Sequence, residues 1–197
     1  MATRQPAPAK SRHYYIRYLK ETGMRTHKVI YSPLGILTLI AEDGVLVAVE
    51  SASTDSLLVD SARLGLAAED GFESAERQFE EYFSGRRCCF DLLVEQTGTP
   101  FQQQVWQAVK AIPYGQTRTY KQLAVSLGDA SKARGVGAAL ARNALGIVVP
   151  THRVVGTKGA LTGYSAGIDA KRALLDLESA PANEALRQQC AGAGVPA

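Results

Sequence analysis

Cysteine and histidine are scarce in this chain, with three of each among 197 residues. No C-x-x-C pair occurs among Cys88, Cys89 and Cys190, and His13, His27 and His152 are scattered. The ligand spacing of a zinc site is therefore missing, and neither a metal nor a cofactor is expected. The three thiols read as unremarkable. No apolar run approaches the roughly 20 residues that a membrane span needs, and Met1 to Lys10 lacks the apolar core of a signal peptide. A cytoplasmic protein with reduced thiols and no membrane contact is the expectation. What remains, 46% hydrophobic and 21% charged residues, is the composition of a soluble globular protein with one medium domain or two small ones.

Charge of one sign is also missing from the total, which is only +3, but not from its parts. Residues 1–26 hold six Lys/Arg against one Asp/Glu. Residues 27–98 hold five against thirteen, and residues 99–180 hold ten against four. The C-terminal half is the candidate surface for a polyanion, with a plain solvated basic face as the alternative.

The chain divides by composition and pattern. Residues 1–26 form a basic extension, Pro/Ala-rich at its start, in which His13 to Leu19 could pack as a strand or short helix. In 27–98, Lys28 to Tyr31, Ile36 to Ala41 and Val45 to Val49 are apolar runs separated by Ser32-Pro-Leu-Gly35 and Glu42-Asp-Gly44 turns, which predicts a β-meander. Ser56 to Leu66 and Ser74 to Phe83 carry helical spacing, with Ala75, Phe79 and Tyr82/Phe83 on one face of the second, and Cys88 to Val94 is a strand candidate. In 99–180, Thr99 is an N-cap with Pro100 at the first helical position. Phe101, Val105, Trp106 and Val109 repeat at helical spacing. Helices over Thr119 to Leu127 and Ser131 to Arg142 flank a Gly128-Asp-Ala130 turn, a helix-turn-helix pattern that also occurs as ordinary core packing. Residues 181–197 read as a tail. The fold class expected is α+β: a small meander-and-helix domain followed by a mostly helical, winged-helix-like domain.

Several segments carry a more specific signal. They are Phe101-Gln-Gln-Gln-Val-Trp106, Ile112-Pro-Tyr-Gly-Gln-Thr-Arg-Thr-Tyr120, Arg134-Gly-Val-Gly137, Arg142-Asn143, Pro150-Thr-His-Arg-Val154, Leu161-Thr-Gly-Tyr164, Lys171 to Leu175, and Glu178. In order and spacing they resemble the O6-alkylguanine-DNA alkyltransferase family, also called methylated-DNA–protein-cysteine methyltransferases. Over 27–98 the resemblance rests on element order and on Ser32-Pro-Leu-Gly35. It implies a recognition helix in the minor groove of duplex DNA and a base flipped beside the nucleophile. Arg134 would fill the vacated stack, Tyr120 would crowd the target phosphate, and Gly135, Ala138 and Arg142 would lie along the same interface. His152, Glu178 and the hinge residue Asn143 would form the network that activates the nucleophile. Pro150, Arg153, Val154, Tyr164, Ser165 and Gly167 would wall the alkylguanine pocket.

The departures matter as much. The family carries cysteine where this chain has Thr151. A thiol with a pKa near 8.5 yields a soft thiolate; an alkyl hydroxyl does not, and hydroxyl nucleophiles usually act at acyl carbon, where an oxyanion hole stabilises an intermediate that methyl transfer lacks. The family's Asn-Pro-x-Pro is Asn143-Ala-Leu-Gly146 here, which implies a looser loop, and Ala166 replaces a glycine, which would narrow the guanine pocket. The expectation is a monomeric, non-catalytic relative that binds duplex DNA carrying O6-alkylguanine. It resembles the alkyltransferase-like proteins, which flag lesions for nucleotide excision repair proteins and, in a bacterium, would be associated with the nucleoid. Two alternatives stay open. One is an active or engineered O6-methylguanine-DNA methyltransferase; the other is a DNA-binding module with no lesion preference.

Overall fold

The computed structural model describes residues 24–51 and 64–192. Its N-terminal domain is built on a meander of β1 (Arg25–Ser32), β2 (Gly35–Glu42) and β3 (Val45–Ser51). β1 and β2 pair antiparallel with Ser32 opposite Gly35, and the Ser32 hydroxyl accepts from Leu34 N, closing the turn. Between β2 and β3, Asp43 and Gly44 both have positive φ (51° and 79°), as a type I′ hairpin turn requires. A fourth strand, β4 (Leu66–Ala67), lies parallel to β1 and completes the order β3-β2-β1-β4. The sequence pattern placed Leu66 at the end of a helix; Gly65, at φ 74°, turns the chain onto β1 instead. Most of that expected helix, like His13 to Leu19, lies outside the described residues.

Helix α1 (Glu73–Phe83) covers the sheet with Ala75, Phe79 and Tyr82, the face its spacing predicted. Cys88 to Val94 is not a regular strand. Only Val94 bridges to Leu46 of β3, because the segment before it is committed elsewhere: Phe90 packs on Phe79 and Tyr82, and Asp91 N donates to the Gln78 side chain. The free edge of β3 is thus closed by two stretches of loop, Leu93–Glu95 and Ala144–Leu145.

The C-terminal domain is helical. α2 (Pro100–Lys110) opens on a capping box in which Thr99 accepts from Gln102 N and the Gln102 side chain accepts from Thr99 N. α3 (Tyr120–Ser126) is capped the same way by Thr119 and Gln122. After Gly128 and a 3₁₀ turn at Ala130–Lys132, α4 (Ala133–Ala141) crosses α2 and is fixed there by Trp106 Nε1, which donates to Ala139 O at 2.9 Å. A two-stranded parallel pair, β5 (Arg118–Thr119) with β6 (Val154–Val155), joins the start of α3 to the chain after Thr151; no sequence pattern announced it.

α5 (Ile168–Ser179) buries Lys171, Leu174 and Glu178 along one face. The expected tail carries α6 (Glu184–Gly192), whose Arg187 donates to Glu178 O and Ala180 O. Two of the thiols read as unremarkable are joined: Cys88 and Cys190 form a disulfide across 102 residues of sequence. One continuous core runs through both domains, from Leu37, Leu39 and Phe79 to Val105, Leu145 and Leu174. Removing the first cap gives a local test. Thr99→Ala is expected to cost about 1 kcal/mol in urea unfolding, and an unchanged midpoint would mean that α2 needs no cap.

Candidate functional site

The segment between α4 and Thr151 folds through two consecutive three-residue turns. Val148 N donates to Gly146 O at 2.8 Å across Ile147, which sits at φ 70°. Thr151 N donates to Val149 O at 2.7 Å across Pro150, at φ −79° and ψ 62°. These are γ-turns of opposite hand, and the first is the strained kind, made more costly by a β-branched residue. The loop is braced despite lacking two prolines. Val49 N of β3 donates to Ala144 O at 2.8 Å, and the Asn143 side-chain oxygen accepts from Leu145 N and from Gln96 Nε2. Asn143 is thus the peg that fixes the loop to the end of α4, the position expected of a hinge.

Thr151, His152 and Arg153 form a buried 3₁₀ turn, and its two basic side chains converge on Glu178. His152 Nε2 lies 2.9 Å from Glu178 Oε1, and the Arg153 guanidinium donates to both carboxylate oxygens through Nε and Nη2. Gly115 N donates to Oε2 at 3.0 Å, and the Tyr82 hydroxyl, from the other domain, donates to Oε1 at 2.7 Å. Arg153 Nη1 reaches Ile112 O at 2.6 Å, and the guanidinium stands over the Tyr114 ring. Arg153 was expected in a pocket wall. The structure turns it onto Glu178, because an unpaired buried carboxylate would be prohibitively expensive.

The electrostatics follow from this packing. Burial alone would raise the Glu178 carboxyl, but hydrogen bonds and charge from His152 and Arg153 outweigh it and hold the group far below the usual carboxylate range. Burial pushes His152 below its usual value despite the opposing pull of Glu178. A neutral imidazole bonded through Nε2–H leaves the Nδ1 lone pair free, and Nδ1 is buried with no protein partner. His152, next to Thr151 in the chain, therefore carries an unused acceptor. The Tyr164 ring stands edge-on to His152 at 6.4 Å, and burial raises its hydroxyl well above the ordinary range.

The expected DNA-facing residues share a surface. Arg134, Gly135 and Ala138 are exposed on α4, opposite the buried Val136, Ala139 and Leu140, and Arg142 is exposed at its C-cap. Tyr120 heads α3, and its hydroxyl donates to Thr162 O at 3.0 Å. The same carbonyl accepts from Lys171 Nζ at 2.7 Å, a buried ammonium that also donates to Val154 O. Burial lowers Lys171 to about 8. This lysine, unassigned from sequence, ties the Thr162 loop, on which the Tyr120 hydroxyl rests, to β6.

A cavity of about 380 Å³ opens beside the braced loop, with Asn143, Gly146, Tyr164, Ser165 and Ala166 on one side and Leu37, Val49 and Ser51 of the sheet domain on the other. Of the six residues expected in the pocket wall, Tyr164 and Ser165 line it, and Pro150, Arg153, Val154 and Gly167 do not. Pro150 and Val154 are buried in the turn and strand that flank position 151, and Gly167, at φ 90°, caps α5. Sequence reasoning missed the contribution of the sheet domain, both here and through Tyr82, since only long-range packing brings those residues in.

This geometry has close relatives. Residues 26–96 match the ribonuclease-like domain of 6-O-methylguanine DNA methyltransferase, and residues 100–180 match that protein's DNA binding domain. A methylated-DNA–protein-cysteine methyltransferase of Mycolicibacterium paratuberculosis is 40% identical over 160 residues, which span 79% of this chain and 93% of the relative. The chain belongs to the O6-methylguanine-DNA methyltransferase family. Another member, from Methanosarcina barkeri, is 52% identical over 107 residues, covering 54% of this chain and 68% of its own. The crystal structure of the Mycobacterium tuberculosis O6-methylguanine methyltransferase superposes with a TM-score of 0.73 at 40% identity, covering 83% of this chain and 99% of that one. The M. tuberculosis protein in complex with DNA superposes with a TM-score of 0.70, covering 82% and 98%. The two-domain α+β architecture is that of the family.

The Glu178 network fixes the acid limb of stability. His152 and Glu178 both bind protons less readily folded than unfolded. Stability is therefore lost as pH falls, first below the ordinary histidine value of 6.5 and then below the ordinary carboxylate value of 4.5. Glu178→Gln is expected to cost about 3–5 kcal/mol at pH 7, because it strands Arg153, with a penalty that shrinks in acid. A pH-independent penalty in urea titrations would contradict the charged network.

Proposed function

We propose that this chain binds duplex DNA through α3 and α4 and recognises an O6-alkylated guanine flipped toward Thr151, without accepting the alkyl group. It would act as a monomeric damage sensor in repair, with hand-over to nucleotide excision repair as the downstream step. The observation that carries this reading is a complete His152–Glu178–Arg153 network on a turn that opens with a threonine, Thr151, and not a cysteine. The relatives are named for transfer to a protein cysteine. No thiol here is placed to substitute: Cys88 and Cys190 are bonded to each other, and Cys89 is exposed in the other domain. An aliphatic hydroxyl beside a neutral imidazole remains a poor, hard nucleophile toward an alkyl carbon.

The surface of α4 supports DNA contact. Gly135 and Gly137 each cost about 1 kcal/mol of helix propensity against alanine. A Cβ at Gly135 would meet Phe101 no closer than 3.4 Å, and one at Gly137 would meet Tyr120 at 3.8 Å, ordinary contacts that the fold tolerates. The protein's own packing does not demand these glycines; a backbone approaching from outside would benefit from them. Arg134, exposed on the same helix, would fill the stack that the flipped base vacates.

A second reading, an active methyltransferase, is favoured by relatives that carry that name at 40–52% identity. Fluorescence titration with a short duplex carrying one O6-methylguanine, against the same duplex with guanine, tests the proposal at fixed salt. Tighter binding to the lesion is expected, and Arg134→Ala should weaken it by roughly tenfold, part of the few kcal/mol that flipping costs. Equal affinity for the two duplexes would leave a DNA-binding module without lesion preference.

A further inference from the structure

We infer that Cys88 and Cys190 form a redox-responsive strap, closed by oxidants of the peroxide class and opened by thiols, whose state sets how firmly the Glu178 network is held. The inference stands apart from lesion recognition. It concerns α6, in a segment that reads from sequence as a tail with no role.

α6 has little else to hold it. At nine residues it is too short to be stable alone. Asn183, just before it, and Leu186, Arg187 and Cys190 stand at spacings of three and four along one face. Leu186 and Cys190 pack half-buried against the core, whereas Glu184, Ala185, Gln188 and Gln189 are exposed.

What that face touches matters. Arg187 Nη1 donates to Glu178 O and Ala180 O, at 2.8 Å each, and so satisfies carbonyls at the C-terminal end of α5. Its stem lies on Gly115, where any Cβ would collide with Arg187 Cδ. Gly115 N is itself a donor to the Glu178 carboxylate. Asn183 Nδ2 donates to Leu177 O and to the Tyr114 hydroxyl. The segment therefore covers the Tyr114–Gly115 turn and the end of α5, two of the elements that surround Glu178.

The other anchor is in the sheet domain. Cys88 lies two residues before Phe90, which packs on Tyr82, and the Tyr82 hydroxyl donates to Glu178. The bond thus joins both sides of the network. The two Cα atoms are 6.4 Å apart, a separation that a disulfide spans without backbone movement. A bond across 102 residues also restricts the chain strongly whenever α6 lifts away. Its formation removes two electrons from the pair of sulfurs. One thiolate attacks a peroxide oxygen, giving a sulfenic acid and, with a proton, water. The second thiolate displaces that oxygen, forming the S–S bond and a second water. A dithiol reverses the step by exchange: it becomes the disulfide, and both cysteines regain their protons.

The experiment uses the full chain with Cys89→Ser, which removes the third thiol, so that hydrogen peroxide and dithiothreitol act on this pair alone. Intact mass should fall by two hydrogens on oxidation and regain them on reduction. Native-state trypsin cleavage after Arg187, weighed after quenching and reduction, should be at least about tenfold slower in the oxidised form, because cleavage tracks local opening of α6. Hydrogen exchange at the Gly115 amide should slow by a similar factor. Adding Cys190→Ser should give the faster rates under both conditions. If no hydrogens are lost, or if cleavage after Arg187 ignores the redox state, the strap is wrong. If cleavage responds and Gly115 exchange does not, its hold on the Glu178 network is wrong.

Discussion

A single buried carboxylate holds the site together. Glu178 accepts from Tyr82 of the sheet domain, from Gly115 in the loop after α2, and from His152 and Arg153 in the turn that contains Thr151. Burying a charge so completely is unfavourable unless every oxygen is paired, so the four donors must arrive together. Their arrival sets the docking of α1 against α5, the orientation of the imidazole and the path of the chain through position 151. The site and the contact between the domains therefore share one interaction, and damage to either reaches the other.

On the proposed reading, that arrangement serves proton handling. His152 is kept neutral by burial, its Nε2–H is held by the carboxylate, and its remaining lone pair is without a protein partner. Such a relay activates a thiol readily. Beside a threonine it can orient a hydroxyl or a ligand, yet it cannot supply the soft nucleophile that alkyl carbon requires. The turn at Ile147 is strained as well: backbone strain persists where a fold over-determines a local geometry, and here Asn143 and β3 hold the loop.

Local signals in the sequence translated well. Thr99-Pro100 capped α2, Asp43-Gly44 made the hairpin turn, and the spacing of Phe79 and Tyr82 identified the buried face of α1. The motif residues from Tyr120 to Glu178 were legible because their spacing is distinctive. Features set by distant partners were not. β4 is two residues long and exists through pairing with β1; Tyr82 meets Glu178 across 96 positions; Arg153 chose an anion over a pocket; and Cys88 found Cys190 in a segment that reads as a tail. Ile147 ran against its own backbone preference, because the loop is pinned at both ends by Asn143 and β3.

On the proposed reading the network is intact and only the nucleophile is missing. Intact-mass spectrometry after incubation with duplex carrying O6-methylguanine tests this on the unaltered chain and on Thr151→Cys in parallel. An unchanged mass is expected for the unaltered chain and a gain of one methyl group for the cysteine variant. A methyl gain on the unaltered chain, or none on the variant, would contradict the reading.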